Sequence, residues 1–270
     1  MNDEGSSMLT DPFHWSCAHM SIGIDIIPYD FQLIEIQDDV RTFFKWNIDS
    51  DIESAHQLLT SVESNNIESW SRSQRAVTLA MLRRRLVLRD TKIVVLGAAV
   101  EEEEILSMLE NPTLFVAADG AVGVLSSFPE SISERAWSRL VCIVSDADGG
   151  EGTIEAVKRS VPFILHAHGD NISSWRNLLQ IAANTSNPSR VVLTHQTQDK
   201  IDGMYNPGGF TDGDRAICFL LSLGVPIERI VLLGTRTDVV GKWSGNTNPE
   251  EKLVKLQWMA KILDIIGMEY

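Results

Sequence analysis

The chain has 270 residues, of which 44% are hydrophobic, and a formal charge of −14. This length and apolar content exclude a disordered protein and suit one larger domain with an appendage. The acidity excludes a general nucleic-acid binder, which needs a basic face, and allows phosphate ligands chiefly where metal ions bring positive charge.

The N-terminal stretch MNDEGSSML is acidic and lacks the basic region of a signal peptide. No stretch of about 18 apolar residues occurs, so no membrane span is expected. Cys17, Cys142 and Cys218 are scattered, odd in number and form no CxxC, which fits a reducing compartment. The expectation is a cytoplasmic protein with small-molecule partners and neither a nucleic-acid nor a membrane partner. The oligomeric state stays open, a homo-oligomer included.

Residues 1–88 read as a smaller N-terminal α+β domain or cap. A mixed segment with some alternation, GIDIIPYDFQLIEI, precedes two predicted helices at about 51–62 and 68–87. Residues 89–270 read as a Rossmann-like α/β domain. Six apolar runs mark its strands: KIVVLG from Lys92, LFVAAD from Leu114, LVCIVSD from Leu140, PFILHAH from Pro162, RVVLTHQ from Arg190 and RIVLLGT from Arg229. Each is rich in Val, Ile and Leu without polar alternation, as in strands buried on both faces. Helical segments lie between most of them. VEEEEILSMLEN carries acids in its first turn, where the helix dipole favours them, so Glu101–Glu104 read as a solvated helix face. EGTIEAVKRS, NISSWRNLLQIAANT and TDGDRAICFLLSLG follow, and a last helix is predicted over about 249–266. The alternation predicts a doubly wound, mainly parallel sheet.

In such a sheet the carboxyl ends of all strands lie along one edge, where ligands bind. The runs end in Gly97, Asp119-Gly120, Asp146-Ala147-Asp148-Gly149-Gly150, His166-Ala167-His168-Gly169-Asp170-Asn171, Thr194-His195-Gln196-Thr197 and Gly234-Thr235. Each delivers polar or glycine residues to the same edge. Asp146 and Asp148 can bracket a hard cation, and the glycines after them let a bulky anion approach the backbone. Asp119 and Asp170 are expected on neighbouring strand ends. Two carboxylates about 5 Å apart repel by roughly 3 kcal/mol at an effective dielectric near 20. Four such groups want a counter-charge, for which Mg²⁺ is the expected ion.

His166 and His168 have the spacing that puts both on one side of a strand. They suit hydrogen bonding to substrate or phosphate; a zinc or iron site and a structural role are the other readings. In NPGGFTDGDRA, Thr211 is a natural N-cap. Asp212 and Asp214 in the first turn either complement the helix dipole or offer a carboxylate to a guanidine-like ring edge. Lys242, in GTRTDVVGKWSG, is placed to reach a phosphate, although the spacing is not that of a P-loop. Gly97-Ala98-Ala99 is likewise no dinucleotide fingerprint.

AADGA, VSDADGG, HAHGDN, THQT, NPGGFTDGDRA, GKWSG and KLVKLQWMAKIL, in this order, resemble the archaeal-type 6-hydroxymethyl-7,8-dihydropterin pyrophosphokinase family. The resemblance covers about 92–266, with a weaker match at WNIDSDIESAHQLL. It implies a domain similar to thiamine pyrophosphokinase. It also implies Mg²⁺-dependent transfer of diphosphate from ATP to the hydroxymethyl group of a dihydropterin, giving AMP, in the branch that leads to tetrahydromethanopterin or folate. On that reading Asp146 and Asp148 are the principal Mg²⁺ ligands, and Asp119 and Asp170 further ligands or water anchors. His168, Asp170 and a metal-bound water are the candidates to take the acceptor's proton. Asn171, His166, His195, Gln196, Asp212 and Asp214 lie toward the acceptor. Gly97, Asp119, Gly120, Gly234, Thr235 and Lys242 lie toward ATP. One departure stands out: the family's Gly-x-Gly-Pro-Ser-Leu loop reads GAAVEEE here, matching at Gly97 and Glu101 only. Thiamine pyrophosphokinase and a DxD-type nucleotide-sugar transferase are the alternative activities, and a non-catalytic nucleotide-binding module is the alternative outside enzymes.

Overall fold

Strands form at all six apolar runs: β1 (Lys92–Leu96), β2 (Thr113–Ala118), β3 (Leu140–Ser145), β4 (Phe163–Ala167), β5 (Val191–His195) and β6 (Ile230–Leu233). In the computed structural model, which describes residues 25–245 and 247–270, they pair in parallel in the order β5-β4-β3-β2-β1-β6. Every residue of β2 to β5 is buried, which is why those runs lack polar alternation. Nine α-helices accompany them among the described residues: α1 (Gln32–Phe44), α2 (Ile48–Glu63), α3 (Arg72–Val87), α4 (Glu102–Leu109), α5 (Glu130–Trp137), α6 (Gly150–Lys158), α7 (Ile172–Ala183), α8 (Asp212–Ser222) and α9 (Pro249–Ile266).

Strand order decides the layers. From β1 to β5 each strand is laid beside the last in one direction, and right-handed crossovers place α4 to α7 on one face. The step from β5 to β6 reverses direction and carries α8 to the other face. That face would otherwise be largely bare. Helices α1, α3 and α9 cover it: Leu33, Ile36, Leu79, Leu82, Met259 and Ile262 share one apolar core with Ile93, Val95, Val116 and Val144. On the first face, Leu58 and Val62 of α2 join Trp70 and Trp175 in a second core with Val94, Phe115 and Leu165.

Among the described residues 25–88 of the N-terminal part the α-helices are α1 to α3, and no strand forms there. Residues 23 and 24 of the alternating segment lie outside the description, as does Cys17. The rest enters α1, whose buried positions Leu33, Ile36, Gln37, Val40 and Arg41 follow the 3.6-residue period. The short apparent alternation was too brief to decide against it. The Asn47 side chain caps α2 by accepting the Asp49 N–H at 3.0 Å. Glu101 and Glu104 form a reciprocal capping box at the start of α4, so this acidic run serves its own helix. Among the described residues no helix is long and apolar enough to cross a membrane.

Candidate active site

The sheet's direction of winding switches between β1 and β6, and the crevice beyond their carboxyl ends is where open α/β sheets take ligands. A cavity opens there. It is lined by Gly97, Ala98, Ala99, Asp119, Gly120, Asp148, Asp212, Gly234, Thr235, Arg236, Trp243 and Lys252, among others. Its backbone wall is three loops packed on one another. Gly97 N–H donates to Leu233 O at 2.8 Å, Ala99 N–H to Gly234 O at 3.0 Å and Trp243 N–H to Ala98 O at 2.9 Å. A Cβ on Gly97 would lie 2.6 Å from Gly234 O, and one on Gly234, whose φ is +65°, would run into Val100. These two glycines therefore serve close loop packing as well as any ligand. Lys242 lies outside this cavity, against the Trp243 ring at 4.8 Å. The lysine on the cavity wall is Lys252, in the first turn of α9.

Asp119 follows β2, and Asp146 and Asp148 follow β3. Each offers an oxygen within 4.8 Å of the others. Glycines bring the two loops together: a Cβ on Gly149 would meet Gly120 and, at 2.5 Å, Asp119 Oδ2, while one on Gly152 would lie 2.8 Å from Gly123 N. Two non-glycine residues sit at positive φ here, Asp119 at 40° and Ala147 at 76°. Such strain is retained where surrounding structure enforces it, often at functional sites. Ser145 enforces part of it, its hydroxyl donating to Asp119 Oδ1 and accepting Ala147 N–H at 2.8 Å.

The charges are ill at ease without a partner. Burial, then the carboxylates of Asp146 and its neighbours, push Asp119 well above the usual carboxylate range. Burial and Asp146 also raise Asp148. Asp146 is the exception: burial works to raise it, but the hydrogen bond and charge of His168 outweigh this and hold it low. Its Oδ1 is buried with no hydrogen-bond partner among the described residues. A close set of hard oxygen donors with one idle buried oxygen fits a hard divalent cation such as Mg²⁺.

Asp170 does not join this cluster. Its side chain is 82% exposed and holds His168 Nδ1 at 2.6 Å. His168 Nε2 meets Asp146 Oδ2 at 3.2 Å. Burial lowers the imidazole, but the two carboxylates prevail and raise it to about 9. Both ring nitrogens are engaged by carboxylates, Nε2 by Asp146 and Nδ1 by Asp170. Its place is to steady Asp146. His166 lies beneath, buried, with Nδ1 3.1 Å from Thr194 Oγ1 and Nε2 3.4 Å from Gln196 Oε1. The two histidines thus face different partners and share no metal-type cluster among the described residues. Asn171 spends its amide inside the protein: Nδ2 donates to His166 O at 2.7 Å and Asp146 O at 3.0 Å, and Oδ1 accepts His168 N–H at 3.0 Å. It ties the ends of β3 and β4 together and has little left for a substrate.

His195 and Gln196 are adjacent in an extended chain and face opposite ways. His195 borders a separate cavity with Ile26, Phe31 and Tyr205. Gln196 faces the site. Its Nε2 donates to Asp51 Oδ2 and its Oε1 accepts from Arg215 Nη2, both at 2.9 Å. Asp212 and Asp214 diverge in the same manner around the helix. Asp214 is fully buried and accepts the N–H groups of Phe210 and Thr211 and the Thr211 hydroxyl, as a cap. Replacing Asp214 with Ala is therefore expected to cost about 1–2 kcal/mol, the usual value of a lost cap, seen as a lower thermal midpoint. Asp212 faces the cavity. Burial and then Asp146 push it to about 7. Among the described residues its Oδ1 has no hydrogen bond, and Arg215 Nη1 lies at 3.5 Å.

A second cavity adjoins the first, lined by Trp46, Asp146, Asp148, His168, Gln196, Phe210, Asp212, Arg215, Lys252 and Lys255, among others. Asp148, Thr211, Asp212, Ser244 and Lys252 border both. Sequence reasoning passed over Arg215, which stands inside the NPGGFTDGDRA motif, and Lys252, whose helix gives no local sign of facing the sheet edge. It also passed over Asp51, the buried acceptor of Gly169 N–H at 2.8 Å that braces the β4 loop from α2.

No protein-family model matches the sequence. Three archaeal proteins are similar, each named 6-hydroxymethyl-7,8-dihydropterin pyrophosphokinase. The one from Pyrococcus furiosus is 31% identical over 181 residues, which is 64% of this chain and 71% of that protein. The one from Methanothermobacter thermautotrophicus is 32% identical over 167 residues, 58% of this chain and 64% of the relative. The one from Methanocaldococcus jannaschii is 27% identical over 200 residues, 71% and 73% of the two chains.

Proposed function

The chain belongs to the 6-hydroxymethyl-7,8-dihydropterin pyrophosphokinase family, and from that premise we propose that it transfers the terminal diphosphate of ATP to the hydroxymethyl group of this dihydropterin, giving AMP. Mg²⁺ is the proposed metal, a folate- or tetrahydromethanopterin-type pathway the proposed setting, and the cytoplasm the proposed location. The observation that carries the reading is the pair of cavities meeting over the carboxylate cluster. A donor and an acceptor held in adjoining cavities react across their shared wall, and diphosphate transfer asks mainly for such alignment and for charge neutralisation.

In this reading ATP takes the crevice at the β1–β6 switch, against the loops at 97–100 and 234–236 with Arg236 and Lys252. The acceptor takes the second cavity. Asp119, Asp146 and Asp148 would hold the metal. When bound, the ion neutralises the triphosphate. His168, gripped by Asp170, fixes the orientation of Asp146. Lys252 supplies a positive charge to both cavities. Ala98 and Ala99, in the loop that departs from the family pattern, keep that wall small and leave its phosphate contacts to main chain.

The test is to incubate the protein with ATP and Mg²⁺ and, in parallel, with hydroxymethyl-dihydropterin or thiamine, and to measure AMP. AMP is expected with the pterin alone, abolished by EDTA and restored by Mg²⁺. AMP with thiamine instead would move the chain to that activity. Full turnover in EDTA would remove the role given to the three aspartates.

A further inference from the structure

The second cavity has an aromatic side that comes from outside the sheet. Lys45 adopts a left-handed conformation, φ 58°, at the end of α1, and the chain turns there before Asn47 starts α2. Trp46 sits in this turn. Its ring stacks on Phe44 at 4.6 Å with 14° between planes, and Phe210 is 6.0 Å away. So backed, the ring remains 38% exposed and borders the cavity, with Lys255 Nζ 5.4 Å from its centroid. The same cavity has a polar side, to which Gln196, Arg215 and Asp212 contribute. It is incomplete: Arg215 Nε and Asp212 Oδ1 are buried without a hydrogen-bond partner among the described residues. Buried polar atoms rarely stay idle, and a ligand edge is one way to satisfy them.

A cavity that joins a flat aromatic wall with donors and acceptors matches a flat, nitrogen-rich bicyclic ring: the plane stacks and the edge is read by hydrogen bonds. We propose that Trp46, supplied by the turn between α1 and α2, is the stacking wall of the acceptor subsite, with Asp212 and Arg215 reading the ring's edge. This rests on the reading given under Proposed function. It gives the N-terminal helices a task beyond covering the sheet. They bring the aromatic wall to the acceptor, and the crevice at the β1–β6 switch does not depend on it.

The test is Trp46→Leu and Trp46→Phe beside the wild type, in the full chain, with circular dichroism to confirm folding. Binding of 6-hydroxymethylpterin is titrated by fluorescence or calorimetry, binding of a non-hydrolysable ATP analogue separately, and KM and kcat for both substrates are determined. Base–aromatic stacking is worth enough for about a tenfold or larger effect. Trp46→Leu is expected to raise Kd and KM for the pterin by about that factor and to leave the ATP-analogue Kd within about twofold; Trp46→Phe should recover part of the loss. A folded Trp46→Leu protein with unchanged pterin affinity overturns the proposal. If Trp46→Leu does not fold, Trp46→Phe decides, since unchanged pterin affinity there overturns it equally. Absence of turnover in the wild type counts against the enzymatic reading itself. Turnover in the wild type with no response to Trp46 counts against the subsite alone.

Discussion

Asp148→Asn is expected to lower kcat by about 10² to 10³ at saturating ATP and Mg²⁺, with the thermal midpoint little changed. The substitution keeps the shape of the side chain and removes one negative charge. Asp148 is exposed at the rim, so no core packing depends on it. It carries no salt bridge whose loss would unfold the loop. What it does carry is one oxygen of the three-carboxylate cluster. Losing one preorganised electrostatic group at a reacting centre costs roughly 10² to 10³ in rate. The acceptor should still bind, because Trp46, Gln196, Asp212 and Arg215 are untouched. Near-normal kcat with an unchanged midpoint would show that Asp148 holds nothing essential. Failure to fold would make it a structural turn residue.

Gly149→Ala should act on the same cluster by a different route. Gly149 has φ −70°, which alanine adopts freely, so backbone preference is not at issue. The added methyl has no room: it would meet Gly120 and lie 2.5 Å from Asp119 Oδ2. Overpacking of this kind costs about 1–3 kcal/mol, which for a chain of this size lowers the midpoint by roughly 5 °C. Relief requires the loops after β2 and β3 to part, which separates Asp119 from Asp148. Turnover should therefore fall about tenfold or more in the protein that remains folded, since misplacement of about 1 Å costs about 10²-fold in rate. Gly224→Ala is the control. It strains a left-handed position, φ +91°, but its Cβ meets nothing within 4 Å and lies at the far end of α8. It should lower the midpoint without lowering turnover. Equal turnover in both variants would mean that the close contact of the two loops is not what sets the cluster.

How the sheet could be read in advance follows from burial. Strands covered on both faces must be apolar throughout, and the six runs announced themselves for that reason. The same logic located Asp119, Asp146 and Asp148, because a residue directly after a buried parallel strand has nowhere to be but the carboxyl edge. What failed did so where the answer depended on direction rather than position. His195 precedes Gln196 by one residue and turns away from the site, and Asp214 follows Asp212 by two and turns into its own helix cap. Asp170 reaches the edge but pairs with His168 instead of a metal cluster. Lys252 and Asp51 arrive from helices and Trp46 from the turn between two helices, and no local pattern says where such a helix docks. The mixed segment that precedes α2 enters α1, whose burial pattern needs two turns to show, and the alternating stretch was shorter than that.

The most direct measurement of what the carboxylate cluster does is ³¹P NMR of the reaction of ATP, Mg²⁺ and hydroxymethyl-dihydropterin with the wild-type protein and with Asp148→Asn. Diphosphate transfer predicts the rise of AMP together with a pair of coupled resonances from the pterin diphosphate in the wild type, and their strong suppression in the variant. Formation of ADP with a monophosphorylated acceptor, or equal rates in the two proteins, would contradict it.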